Sequence, residues 1–230
     1  MKTSNKEFKF VSTPEKGEVA AVYDQPESAK ALLVLGHGSG SNLRHSLMEE
    51  LSETLNEQLI ATFRFNYPYS ERGKGGMDGE KVRLSTVRSA INAAQKENET
   101  LPLFAGGHSM SGRMFSMAQA NTSIERLAGI IFYAFPLYSS KPSIERAEHL
   151  KKINLPMLFL SGQRDKMANL DLLERVVNGL TRSTLHVVDT ADHGFKVLKR
   201  RKSEEAVMSE LARVTSQWIG EILGYRGKSG

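Results

Sequence analysis

The sequence predicts an α/β fold: a mostly parallel sheet of about eight strands, helices on both faces, and an antiparallel hairpin at the N-terminal edge. Three observations carry that expectation. Short β-rich apolar runs alternate with longer amphipathic stretches from residue 31 to residue 189, the pattern of a parallel sheet covered by crossover helices. Ahead of them, two apolar runs are separated by the turn-rich Thr13-Pro14-Glu15-Lys16-Gly17. Finally, no internal repeat, linker or shift of composition divides the chain, so one domain over residues 1–230 is expected.

The hairpin strands are Phe8–Val11 and Val19–Tyr23. The parallel strands are expected at Ala31–Leu35, Ile60–Phe65, Leu103–Ala105, Ile130–Ala134, Met157–Leu160 and Leu185–Val188, too short and too apolar for surface helices. Helical periodicity falls near 43–57, 79–98, 111–121, 144–152 and 169–180. A last helix is expected from about 204 to 223, with Ser203 as its N-cap and Glu204 and Glu205 in its first turn. The connection from Phe135 to Ser143 is too short to make a separate lid.

Composition excludes several chemistries. Cysteine is absent, which rules out disulfides, thiolate metal sites and cysteine nucleophiles. No apolar run reaches the roughly 20 residues that cross a bilayer, and the first residues lack the apolar core of a signal peptide, so a cytoplasmic protein with no membrane partner is expected. The net charge of +5 is mild and dispersed apart from Lys199-Arg200-Arg201-Lys202, which reads as a solvated loop rather than a nucleic-acid patch. Histidine and carboxylate spacings build no metal site, and no cofactor is implied.

The chemical signal is Leu103-Phe104-Ala105-Gly106-Gly107-His108-Ser109-Met110-Ser111-Gly112-Arg113, an apolar strand running through small residues into an amphipathic helix. A nucleophile elbow holds its serine on a strained turn there, and the residues two before and two after must be small. Around Ser109 these are Gly107 and Ser111. The second glycine of G-x-S-x-G is thus replaced by Ser111, and Gly112 follows one position late. Were Ser111 the nucleophile, Arg113 would occupy the crowded position, so Ser109 is preferred. Taken alone, Ser109 reads equally well as a small residue capping a helix.

Its context favours catalysis. A serine hydroxyl needs a base, and the base needs a partner that fixes its tautomer. In enzymes built on an elbow these follow along the chain in the order serine, acid, histidine. Asp165 stands just beyond the strand Met157–Leu160, and His193 stands in the loop after Leu185–Val188. Asp189 and Asp192 are rival acids, but both lie too near His193 in sequence to approach its ring easily. Oxyanion donors are expected from the backbone N–H of Met110 and from the loop Gly36-His37-Gly38-Ser39-Gly40, with Ser39 as first choice and Gly38 as alternative.

Tyr67, Tyr69, Phe135, Pro136 and Met110 are candidates for an apolar substrate pocket, with His37 and Gly38 at its edge, although the apolar set reads equally well as core. Arg44, Arg64 and Arg72 would favour an anionic substrate if they converge on it. His37 is expected to order its own loop, and His108 to be a neighbour of the serine by sequence alone. His45, His149 and His186 read as surface or packing residues.

Five segments give the chain a resemblance to the dienelactone-hydrolase-like branch of the α/β-hydrolases over nearly its whole length. They are His37-Gly38-Ser39-Gly40, Phe65-Asn66-Tyr67-Pro68-Tyr69, Gly106 to Arg113, Gly162-Gln163-Arg164-Asp165 and Asp192-His193-Gly194-Phe195-Lys196. Within that branch the chain is similar to small bacterial hydrolase-like proteins related to a testis-expressed animal protein and to a regulatory subunit of a histone acetyltransferase complex. The resemblance implies an α/β-hydrolase fold and carries the triad roles onto Ser109, Asp165 and His193. Ser111 departs from the family's elbow pattern. The expected activity is hydrolysis of a small ester, thioester or lactone by a monomer or homodimer without nucleic-acid partners. The alternatives are a non-catalytic interaction module on the same fold, a serine peptidase or an acyltransferase.

Overall fold

The computed structural model describes residues 2–73 and 75–224. Eight strands form one sheet in the order β1-β2-β4-β3-β5-β6-β7-β8. The hairpin β1 (Thr3–Thr13) and β2 (Gly17–Pro26) is longer than its apolar cores, and it pairs antiparallel within itself and against β4 (Ile60–Phe65). Its outer edge carries exposed Lys6, Glu7 and Lys9, charges that discourage pairing with another strand.

From β4 onward all pairings are parallel, through β3 (Ala31–Gly36), β5 (Leu103–His108), β6 (Leu127–Tyr133), β7 (Met157–Gly162) and β8 (Ser183–Val188). The continuous apolar runs arise here: every residue of β3, β4 and β7 is buried, because parallel strands are covered on both faces. One covering layer holds α1 (Ser46–Glu57) and α6 (Val207–Ile222), packed over Leu33, Leu35, Phe104 and Tyr133. The other holds α3 (Glu80–Glu97), α4 (Met110–Asn121) and α5 (Leu170–Asn178), packed over Phe63, Phe65, Phe132 and Phe159. A short helix α2 (Pro68–Arg72) was not expected from periodicity; Pro68 opens it and Gly73, in the left-handed region, ends it. Residues 145–152 form a 3₁₀ helix.

One helix start corrects the sequence reading. Helix α6 begins at Val207 with Ala206 at its N-cap, while Ser203 accepts the Glu205 N–H in the preceding bend instead. Arg201, from the basic run, is turned inward onto the carboxylate of Glu210 and the carbonyl of Glu205, so part of that run holds the entry to α6.

The strand order places the candidate site. From β3 the chain crosses to β4 on one side, then to β5 on the other side of β3, so the loops after β3 and β5 diverge. Open α/β sheets bind ligands at the carboxyl ends of strands at such a switch point. Here the two loops are those beginning at His37 and at Ser109.

Candidate active site

Ser109 sits between β5 and α4 with φ 50° and ψ −107°, a backbone conformation that a residue with a side chain rarely adopts. The turn is held by the Ser109 N–H, which donates to the Tyr133 carbonyl on β6 at 2.8 Å. It is crowded as an elbow should be: a Cβ on Gly107 would lie 2.2 Å from the Gly36 carbonyl oxygen. The side chain of Ser111 fits beside it only because Gly36 and Gly107 are both bare, so the serine at the second glycine position is accommodated.

Asp165 follows β7 and is buried, its carboxylate fully enclosed. One oxygen accepts the Met167 N–H at 2.7 Å and the other lies 2.8 Å from His193 Nδ1. His193 Nε2 lies 2.9 Å from Ser109 Oγ. Three side chains distant in sequence therefore form one continuous hydrogen-bonded line. Such a line can remove the serine proton as its oxygen attacks a carbonyl, with Nδ1–H directed to the carboxylate.

The loops that carry acid and base are joined. Arg164 N–H donates to the Ala191 carbonyl at 2.8 Å, and Thr190 N–H donates to the Gln163 side chain at 3.0 Å. Asp192 shapes the histidine turn, its Oδ1 accepting the N–H groups of Gly194 and Lys196, both at 2.9 Å. Asp189 accepts the Lys202 N–H. The two rival acids are thus turn-formers, neither bonded to the His193 ring among the described residues.

His108 does more than its sequence position indicates. Its Nε2 lies 2.9 Å from the His193 carbonyl, and its ring centroid is 5.3 Å from that of His193. A carbonyl only accepts, so Nε2 carries the proton and holds the base loop in place. Burial pushes the His108 imidazole down to about 4, keeping it neutral beside the His193 ring. The sequence reading missed this residue; its place as the last residue of β5, facing the neighbouring loop, was the available signal.

Both candidate oxyanion donors lie at this end of the sheet. Met110 is the first residue of α4, where an N–H has no intrahelical acceptor, and Ser39 N–H has no acceptor among the described residues. Ser39, Gly38, Ser109 and His193 line a cleft of about 1030 Å³ that runs between the first turns of α1 and α6, past Leu47, Val197, Val207 and Met208. His45 also borders it while capping α1.

The expected apolar pocket is elsewhere. Tyr67, Tyr69, Phe135 and His37 are buried on the other side of the sheet end and do not border the cleft; neither does Pro136. Tyr67 and Phe135 pack with Phe65, Phe132 and Phe159 under α4, and Tyr69 stacks on Tyr67. Of the two residues placed at the pocket edge, only Gly38 lines the cleft. The three arginines do not converge on it either. Arg64 is buried against Asp24, Arg44 pairs with Glu7, and Arg72 pairs with Asp78. Of the remaining histidines, His149 bonds Ser116 and His186 bonds Glu210. Among the described residues no group of three histidine or carboxylate side chains is arranged to hold a metal ion, and no helix is long and apolar enough to cross a membrane.

A strained serine after β5, a buried carboxylate after β7 and a histidine after β8 meet at one rim of an α/β-hydrolase fold, and comparison with known proteins gives the same fold. Residues 29–220 match the alpha/beta hydrolase domain family, and the chain belongs to it. Its fold is similar to that of dienelactone hydrolase from Anabaena variabilis, at 16% identity and TM-score 0.73 over 94% of this chain and 98% of that one. It is similar also to XC6422 from Xanthomonas campestris, a serine hydrolase without lid, at 16% identity and TM-score 0.72 over 96% of each chain. Est1E from Butyrivibrio proteoclasticus aligns at 14% identity and TM-score 0.68 over 90% of this chain and 95% of that one.

Proposed function

We propose that the chain is a serine hydrolase that cleaves a small ester, thioester or lactone through an acyl-enzyme. The observation that carries the reading is the unbroken line from Ser109 Oγ to His193 Nε2 at 2.9 Å and from His193 Nδ1 to Asp165 at 2.8 Å, opening on the cleft. Ser109 Oγ attacks the substrate carbonyl carbon while its proton passes to His193 Nε2. Asp165 holds the imidazole in the tautomer that can accept it and stabilises the resulting cation. The N–H groups of Ser39 and Met110 receive the developing oxyanion. As the tetrahedral adduct collapses, His193 returns the proton to the departing alkoxide or thiolate oxygen or sulfur. Water, deprotonated by the same histidine, then attacks the acyl carbon, and as this second adduct collapses to the acid His193 returns the proton to the departing Ser109 Oγ.

The cleft is open along one side and carries apolar side chains from α1 and α6, which suits a small or medium acyl group lying against Leu47, Val207 and Met208. Structural neighbours named as a dienelactone hydrolase and as a serine hydrolase without lid support a hydrolytic reading.

A fluorophosphonate probe tests the proposal. The wild-type chain should be labelled at Ser109 and Ser109→Ala should not; absence of labelling in the wild type, or equal labelling of both, sinks it. A panel of p-nitrophenyl esters, amides and lactones then separates esterase from peptidase.

A further inference from the structure

We propose that Ser111 is a positioning residue for the oxyanion site, tying the loop that carries Ser39 to the helix turn that carries Met110. The inference rests on the hydrolase reading above, and its starting point is the departure of residue 111 from glycine.

The Ser111 side chain is fully buried and wedged between two strand ends, with its Cβ 2.5 Å from where a Gly36 Cβ would stand and 2.8 Å from a Gly107 Cβ. Those two bare positions create the space, and the hydroxyl uses it. Ser111 Oγ lies 2.5 Å from the His37 carbonyl and 2.9 Å from the Tyr67 hydroxyl. A carbonyl can only accept, so the single Ser111 proton is directed to His37, and Tyr67 O–H must donate to Ser111. The direction of the whole chain is fixed: Tyr67 to Ser111 to the oxyanion loop.

From there the loop is held one peptide further on. The Gly38 carbonyl receives His37 Nδ1–H at 2.8 Å, the Tyr69 hydroxyl at 3.4 Å and the Ser41 N–H at 3.3 Å. His37 can donate there because its other nitrogen accepts the Tyr67 N–H at 3.4 Å, and burial, which pushes its imidazole down to about 4, keeps the ring neutral. In a trans peptide the N–H points opposite to the carbonyl. Holding the Gly38 oxygen therefore holds the Ser39 N–H on the reverse side. Ser111 closes the circuit, because it belongs to the same first turn of α4 as Met110. The spacing between the two donors is set by one hydroxyl that a glycine at position 111 would lack.

The test uses Ser111→Ala and Ser111→Gly in the full-length chain, with two readouts. In steady-state hydrolysis of p-nitrophenyl acetate, kcat should fall by about 10- to 100-fold, somewhat less than deletion of a whole oxyanion donor, while KM stays within about twofold. The acid limb of the pH–rate profile, which reports the base, should not move. By hydrogen exchange, peptides covering residues 36–41 should exchange about tenfold faster while residues 112–121 are unchanged. Tyr67→Phe removes only the outer link and should give the same signs at smaller amplitude; it decides the matter if neither Ser111 variant folds. Wild-type kcat in a folded Ser111→Gly chain overturns the proposal, as does a loss of kcat with no change of exchange in the loop. A wild-type chain that hydrolyses nothing, yet whose loop loosens when Ser111 is replaced, sinks the hydrolase reading and leaves the tether standing.

Discussion

The two faces of the sheet end differ sharply around Ser109. Under α3, α4 and α5 the space is filled by rings, with Phe132 and Phe159 at 4.5 Å between centroids and Tyr67, Phe65 and Phe115 packed tilted and edge-on in series beside them. Toward α1 and α6 it is open, and the cleft of about 1030 Å³ is walled by glycines, serines, histidines and a few aliphatic side chains, with Phe195 and the charged Glu50, Glu53 and Lys196 also on its wall. On the hydrolase reading proposed above, the filled face positions the reacting groups and the open face admits the substrate. Aromatic residues just past the strand ends are thus poor guides to the cleft: Tyr67 follows β4 and Phe135 follows β6, and both turn into the core.

The largest test of that division is Ser109→Ala. Hydrolysis should fall by roughly 10⁴- to 10⁶-fold in kcat, with thermal stability nearly unchanged, since alanine keeps the Cβ and the φ of 50° and loses only the hydroxyl. An active Ser109→Ala would place the chemistry elsewhere. Next comes Phe135→Ala on the filled face: about 3–5 kcal/mol should be lost in urea denaturation with KM unchanged, and a raised KM would show that this ring does meet substrate.

Acid should attack the filled face as well. Burial holds His37, packed edge-on against Tyr67, down at about 4, against an ordinary value of 6.5. His108, at the cleft, is lowered in the same way to about 4. The unfolded chain binds more protons than the folded one between those two values, so stability is complete above about 6.5 and declines as pH falls toward about 4. Each of the two should contribute about 1.4 kcal/mol per pH unit across that window. Urea midpoints at pH 7 and pH 5 measure it, and equal midpoints would mean these rings are not buried neutral. The smallest effect belongs to the open face. Met208→Trp should leave the melting temperature nearly unchanged while raising KM for longer acyl esters by about tenfold relative to acetate; equal KM for both chain lengths would remove the acyl group from the α1–α6 cleft.

Much of this was legible beforehand. The parallel strands announced themselves as buried apolar runs because each is covered on both faces, and Asp165 and His193 were found because strand ends converge on one rim. Other features were hidden. Ser203 looked like a helix cap, yet the chain first bends through Arg201 and its bonds to Glu205 and Glu210, delaying α6 to Val207. His108 looked incidental because its partner is the carbonyl of a residue 85 positions away.

Local pattern alone settled the eight strands and the longer helices, the turn at Ser109, and the candidacy of the acid and base, because periodicity, turn residues and position after a strand are properties of neighbouring residues. Which side of the sheet end would be solid and which open was decided only by packing. So was the meaning of Ser111: its hydroxyl has a partner only because Gly36, at the end of the distant strand β3, and Gly107 on β5 leave it room beside His37. Contacts between segments far apart in sequence depend on how the whole sheet winds, and no window of the sequence contains them.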